Sequence, residues 1–159
     1  CFITSASRGD GGRREFLSRR IPLTSGRVVD ASGAEVGRVD AVEMVTLGQR
    51  RGMELAGGDG PRYATAVDTA TATVTVGSAA DLFVDVTPVD RAGWADGPVS
   101  GSVLVQTSAH GQPASAVLEP CDGDGRTLVR WDEPHRQVAP GQSVVFYDCD
   151  VVLGGAVAC

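Results

Sequence analysis

The chain has 159 residues, a formal charge of −6 and 42% hydrophobic residues, enough for one ordinary domain or a small domain plus a barrel. All 14 basic residues are Arg and the acidic total argues against a non-specific nucleic-acid binder, though not against a shaped site that reads a few nucleotides. No run approaches the roughly 18 apolar residues of a membrane span and no basic-then-apolar leader opens the chain, so a cytoplasmic protein off the membrane is expected.

The chain opens on Cys1 rather than Met, which reads as a fragment, a processed product or the ordered part of something longer. The stretch Arg13–Arg20 predicts the one convincing helical segment, stopped by Pro22. Strands are predicted at 27–30, 35–40 and 41–46, the first two joined by the turn Ala31-Ser32-Gly33. Gly57-Gly58-Asp59-Gly60-Pro61 cannot hold regular structure and is taken as the internal boundary, giving domains 1–56 and 57–159. Beyond it, strands are predicted at 63–68, 72–76, 82–89, 99–107, 113–118, 127–131, 143–148 and 151–158. Thr73 and Thr75 alternate with Val74 and Val76, and Val103 and Val105 with Ser102 and Gln106, a period of two with one buried face. The fold class is therefore mainly β: a small central β domain, then a barrel of six to eight strands, since closure removes sheet edges.

Cys stands at positions 1, 121, 149 and 159 with no CxxC, CxxH or HxxxH spacing, so no metal site is expected and the thiols read as reduced. Cys1 lies in a Gly/Ser-rich segment followed by Arg8, Arg13 and Arg14; such a thiol could be held as thiolate and act as nucleophile or sulfur carrier, or simply pack. Thr46-Leu47-Gly48-Gln49-Arg50-Arg51-Gly52 places a Gln and two Arg between glycines, which suits either phosphate recognition or a solvated polar connection. Val138-Ala139-Pro140-Gly141-Gln142 is a type II turn signature that leaves Gln142 at a barrel rim, facing a nucleotide or facing water. Asp122-Gly123-Asp124-Gly125 lacks the distal Glu of a calcium loop, and His110 and His135 have no partner by spacing. No GxxxxGK[ST] or GxGxxG loop is present, so no ATP or dinucleotide site is expected within the chain.

Taken in order, Cys1-Phe2-Ile3, Arg14-Glu15-Phe16-Leu17, Gly26, Asp30, Gly33, Val36-Gly37 and 46–52 resemble the central region of tRNA-specific 2-thiouridylases. Asp132-Glu133-Pro134, Ala139-Pro140-Gly141-Gln142, Val145-Phe146-Tyr147 and Leu153-Gly154-Gly155 resemble that family's C-terminal barrel, which is similar to domain 2 of translation elongation factors. The resemblance implies a tRNA-uridine 2-sulfurtransferase acting on the wobble uridine, with Cys1 as the persulfide carrier. It also implies tRNA contacts at Gln142, Gln49, Arg50, Arg51 and His110. Where the family often has Arg-Tyr-Arg on a barrel strand, this chain reads Ser108-Ala109-His110. The expected partners are tRNA, an N-terminal PP-loop domain that uses ATP and Mg, and a sulfur-carrier protein or cysteine desulfurase. The fragment alone is expected to bind no cofactor and to be inactive. The alternative reading is a non-catalytic β-barrel module that binds RNA or a translation factor.

Overall fold

The computed structural model describes residues 10–55, 60–121 and 126–159. The chain divides into two compact units, Cys1–Leu82 and Phe83–Cys159.

In the first unit, helix α1 (Asp10–Ser18) precedes β1 (Gly26–Val29), β2 (Glu35–Val39), β3 (Glu54–Leu55), β4 (Tyr63–Asp68) and β5 (Thr73–Gly77). The five strands form one sheet in the order β3-β2-β1-β5-β4. All neighbours are antiparallel except β1 and β5, which run parallel. Val28 on β1, Val74 on β5 and Ala64 on the edge strand β4 are fully buried, and Val42 packs in the same cluster. Gly26 has no room for a side chain: a Cβ would run into Val42 and the Ala72 carbonyl. The β1–β2 turn is held by Asp30, whose Oδ1 accepts from the backbone N–H groups of Ser32 and Ala34 and from the Ser32 hydroxyl. Those bonds, the Ser32 hydroxyl first, hold the carboxyl below its usual range.

Two expectations are corrected here. The predicted strand at 41–46 is instead a 3-10 turn at Val42–Met44. Its apolar residues do turn inward, but the Thr24 carbonyl takes the Val42 N–H and the Glu43 carboxylate takes the Thr24 N–H, so no ladder is left to join. The boundary set at residue 57 falls instead after Leu82. β5 pairs with β1 and β4 pairs with β5, so both strands complete the first sheet; residues 57–59 of the Gly-rich stretch lie outside the described residues.

The second unit is a closed six-stranded barrel of β6 (Phe83–Trp94), β7 (Gly101–Gln106), β8 (Ala114–Pro120), β9 (Thr127–Arg136), β10 (Ser143–Asp148) and β11 (Val151–Ala158). The strands follow the order β10-β11-β6-β9-β8-β7, and β7 pairs with β10 to shut the ring. Alternation sends Val103 and Val105, Ala116 and Leu118, Val129 and Trp131, and Val144 and Phe146 into one core. The Trp94 indole stacks on Phe146 with centroids 5.5 Å apart. Gly154 passes beside that indole, where a Cβ would meet both ring and backbone.

β9 carries a large irregularity. Arg130 pairs with Val86 and His135 pairs with Val84, so the partner strand advances far less than β9 does. The excess is Asp132-Glu133-Pro134, all exposed, looped away from the ladder. Proline, lacking an N–H, suits that place. The loop returns His135 onto Trp131.

Candidate functional site

The loop after the 3-10 turn is built by its own side chain. The Gln49 N–H donates to the Thr46 carbonyl, and Gly48, with φ of 78°, supplies the left-handed position of that turn. The Gln49 side chain closes it: Thr46 N donates to Oε1 at 3.1 Å, and Nε2 donates to the Arg51 carbonyl at 2.7 Å. The loop is then stitched to β4 by Gly48 N–H to the Ala64 carbonyl and Ala64 N–H to the Gln49 carbonyl. Gln49 thus spends its amide on shaping the loop, and Arg50 points to solvent.

Arg51 joins a different group. A cleft of about 530 Å3 runs between α1 and this loop, with Arg13, Arg14, Arg38 and Arg51 around Met44, Val45 and Met53. Arg14 pairs with Asp40 at 3.3 Å and Arg38 with Glu35 at 3.3 Å, both in solvent and therefore weakly held. Arg13 and Arg51 have no carboxylate partner among the described residues. The arrangement offers guanidinium forks to an anion over an apolar floor. The sequence singled out Arg51 and the Arg13-Arg14 pair separately; the structure brings them to one cleft. Arg38 was missed, because only the pairing of β2 with β3 carries it there.

At one end of the barrel, Pro140-Gly141 forms the turn read from the sequence: Gln142 N donates to the Ala139 carbonyl at 3.0 Å and Gly141 has φ of 85°. Gln142 is exposed beyond it and lines a groove of about 190 Å3 with Thr107, Ser108, His135, Arg136 and Ala139. The β7–β8 turn is pinned by a short relay: the Tyr147 hydroxyl donates to Gln106 Oε1, and Gln106 Nε2 donates to the Gly111 carbonyl. His110 is exposed on that turn but is not a wall of the groove. His135 and Arg136 were not expected here. The only local signal was the Asp-Glu-Pro run before them, which the strand loops out.

Cys1 lies outside the described residues. Cys121, Cys149 and Cys159 are free thiols. Among the described residues no group of three His, Cys, Asp or Glu could hold a metal, and no helix is long and apolar enough to cross a membrane.

Comparison with known proteins places both units. Residues 14–78 match a family model described as the tRNA methyl transferase PRC-barrel domain, and residues 88–158 one described as the aminomethyltransferase beta-barrel domain. The tRNA-specific 2-thiouridylase MnmA of Mycobacterium leprae is 46% identical over 98% of this chain. The protein of that name from Rhodococcus jostii is 44% identical over 97%, and that of Chloroflexus aurantiacus 41% identical over 98%. The chain belongs to the tRNA-specific 2-thiouridylase family. It spans less than half the length of these relatives, 44% of the Mycobacterium leprae protein. The two family models divide between residues 78 and 88, on either side of the break at Leu82.

Proposed function

We propose that this chain is the sulfur-carrying and tRNA-holding part of an enzyme that replaces the C2 oxygen of the tRNA wobble uridine with sulfur. The observation that carries the reading is 46% identity, over 98% of the chain, to a relative named for that activity. The arginine cleft supports it physically. Arg13 and Arg51 have no carboxylate partner among the described residues and line a cleft of suitable size for a phosphate and its neighbours. Arg50 adds exposed charge beside them, Gln49 keeps the loop in shape, and Gln142 marks a second contact surface on the barrel, with His110 at its margin.

In this reading Cys1 receives sulfur as a persulfide from a sulfur-carrier protein or cysteine desulfurase. The terminal persulfide sulfur attacks C2, whose oxygen is already adenylated, and the C2–O bond breaks as AMP leaves with that oxygen. A partner thiolate then attacks the Cys1 sulfur, closing a disulfide and leaving the transferred atom on the nucleotide. Activation needs ATP and Mg. No glycine-rich phosphate loop in this sequence fits them, so adenylation belongs to the part of the relatives that this chain does not span. A cytoplasmic location accords with a tRNA substrate.

The test is thiolation of tRNA by the full-length enzyme, measured as 2-thiouridine by mass spectrometry. Cys1→Ser should abolish product while leaving tRNA affinity near the parent value. Arg51→Ala should weaken tRNA binding and reduce the slope of log affinity against log salt by about one unit. Product at the parent rate from Cys1→Ser overturns the sulfur-carrying role. Salt-dependent tRNA binding that survives that result leaves the non-catalytic RNA-binding module in its place.

A further inference from the structure

The groove beside Gln142 contains a histidine held more firmly than a surface residue needs. Its ring lies parallel to the Trp131 indole, centroids 3.9 Å apart and planes 12° apart. Trp131 is itself fixed: it is 5% exposed, and its indole N–H donates to Thr87 Oγ1 at 2.9 Å, inside the barrel. The remaining freedom of the stacked imidazole is a half-turn about the Cβ–Cγ bond, which would exchange its two edges. That is removed by a 2.7 Å contact between His135 Nδ1 and the Arg136 carbonyl. A carbonyl can only accept, so Nδ1 carries the proton, and in the neutral ring Nε2 is left as an acceptor. Nε2 has no protein partner among the described residues, and neither has the Gln142 side chain or the Arg136 guanidinium.

In that form of the ring, a free Nε2 acceptor beside the groove selects its ligand. A phosphate oxygen cannot donate to it, whereas a hydroxyl can. Arg136 next to it does the converse, donating to an anion and accepting nothing. The two carboxylates of the bulge, Asp132 and Glu133, are exposed and make no bond to His135 or Arg136. We propose that this groove is a subsite for one ribose and its adjoining phosphate in RNA. His135 Nε2 accepts from the 2′-hydroxyl, Gln142 turns its amide to the same sugar, and Arg136 pairs with the phosphate. The subsite would discriminate RNA from DNA, because the 2′-hydroxyl is the group that distinguishes them. Trp131 and Thr87 are positioning residues that act through His135. The inference rests on the reading that the chain holds tRNA, which it deepens by naming the moiety recognised.

The experiment compares two probes on the whole chain by fluorescence anisotropy at fixed salt: an anticodon stem-loop in RNA, and the same sequence in DNA. The parent should prefer the RNA. His135→Ala should lower RNA affinity by about 10-fold while DNA affinity stays within about 2-fold. His135→Gln, whose amide oxygen can accept near the lost Nε2, should recover part of the preference. Thr87→Val should reduce the RNA-to-DNA ratio without abolishing binding, a change that simple loss of stability does not produce. Arg136→Gln should weaken both probes and lower the salt slope. Equal affinity of the parent for the two probes, or equal loss on both in His135→Ala, overturns the subsite. Binding of neither probe sinks the tRNA reading itself. A thermal melt on each variant confirms that the barrel is folded.

Discussion

Thr87→Val tests the buried support of that histidine at its root. The substitution keeps the size and branching of the side chain and removes only the hydroxyl. The Trp131 indole N–H then remains inside a core where both residues are 5% exposed, with no acceptor in its place. An unsatisfied buried donor costs about 1–3 kcal/mol. For a domain of this size that is a fall of roughly 5–20 °C in Tm. Both tryptophans, Trp94 and Trp131, lie in the barrel unit, so intrinsic fluorescence in a urea titration reports that unit alone. Thr87→Ser, which keeps the hydroxyl, should lose less than Thr87→Val. In a Trp131→Phe background no donor is left, and the further cost of Thr87→Val should shrink to within about 0.5 kcal/mol. An equal cost of Thr87→Val in both backgrounds would refute the hydrogen-bond account and leave only altered packing.

Gly37→Ala should destabilise the first unit by about 1–3 kcal/mol, because the new Cβ would overlap the Glu54 carbonyl across the β2–β3 pair; urea unfolding followed by far-UV circular dichroism measures it, and a neutral result would mean that β3 is held loosely. Acid should weaken the first unit before the barrel. Asp30, Glu43, Asp68 and Asp81 all titrate below their usual values through hydrogen bonds from Ser32, Thr24, Thr71 and Ser78, and in the barrel only Glu119 does among the described residues. A depressed carboxyl stabilises above its unfolded value of about 4 and that contribution disappears as pH falls through the folded value. Circular dichroism should therefore change at higher pH than tryptophan fluorescence; coincident transitions would contradict the assignment.

Much of the fold could be read locally. The strands at 63–68, 143–148 and 151–158 occur where turn residues and alternation put them, since each of those signals sits within the segment itself. The 41–46 segment could not be read so, because apolar residues at 42, 44 and 45 suit a strand and a tight turn alike. What decides is Thr24, some twenty residues earlier. The misplaced boundary has the same origin: pairing of β1 with β5 joins residues far apart in the chain, and no local pattern announces it. At the candidate site, the Pro-Gly turn that exposes Gln142 was legible. The loop role of Gln49 was not, because its amide could equally have faced a ligand. His135 was hidden more deeply, as two rings four residues apart on a strand do not meet unless the intervening residues leave the ladder.

The parallel seam between β1 and β5 has a consequence for synthesis on the ribosome. β1 sits in the middle of its sheet, yet one of its two neighbours is the last strand of the unit to emerge. Until Thr73–Gly77 clears the exit tunnel, Val28 has an open flank and β4 has no strand to pair with. The first unit must therefore wait, partly formed and with unpaired strand edges, through the translation of most of its own length. The barrel behind it begins to appear just as that wait ends.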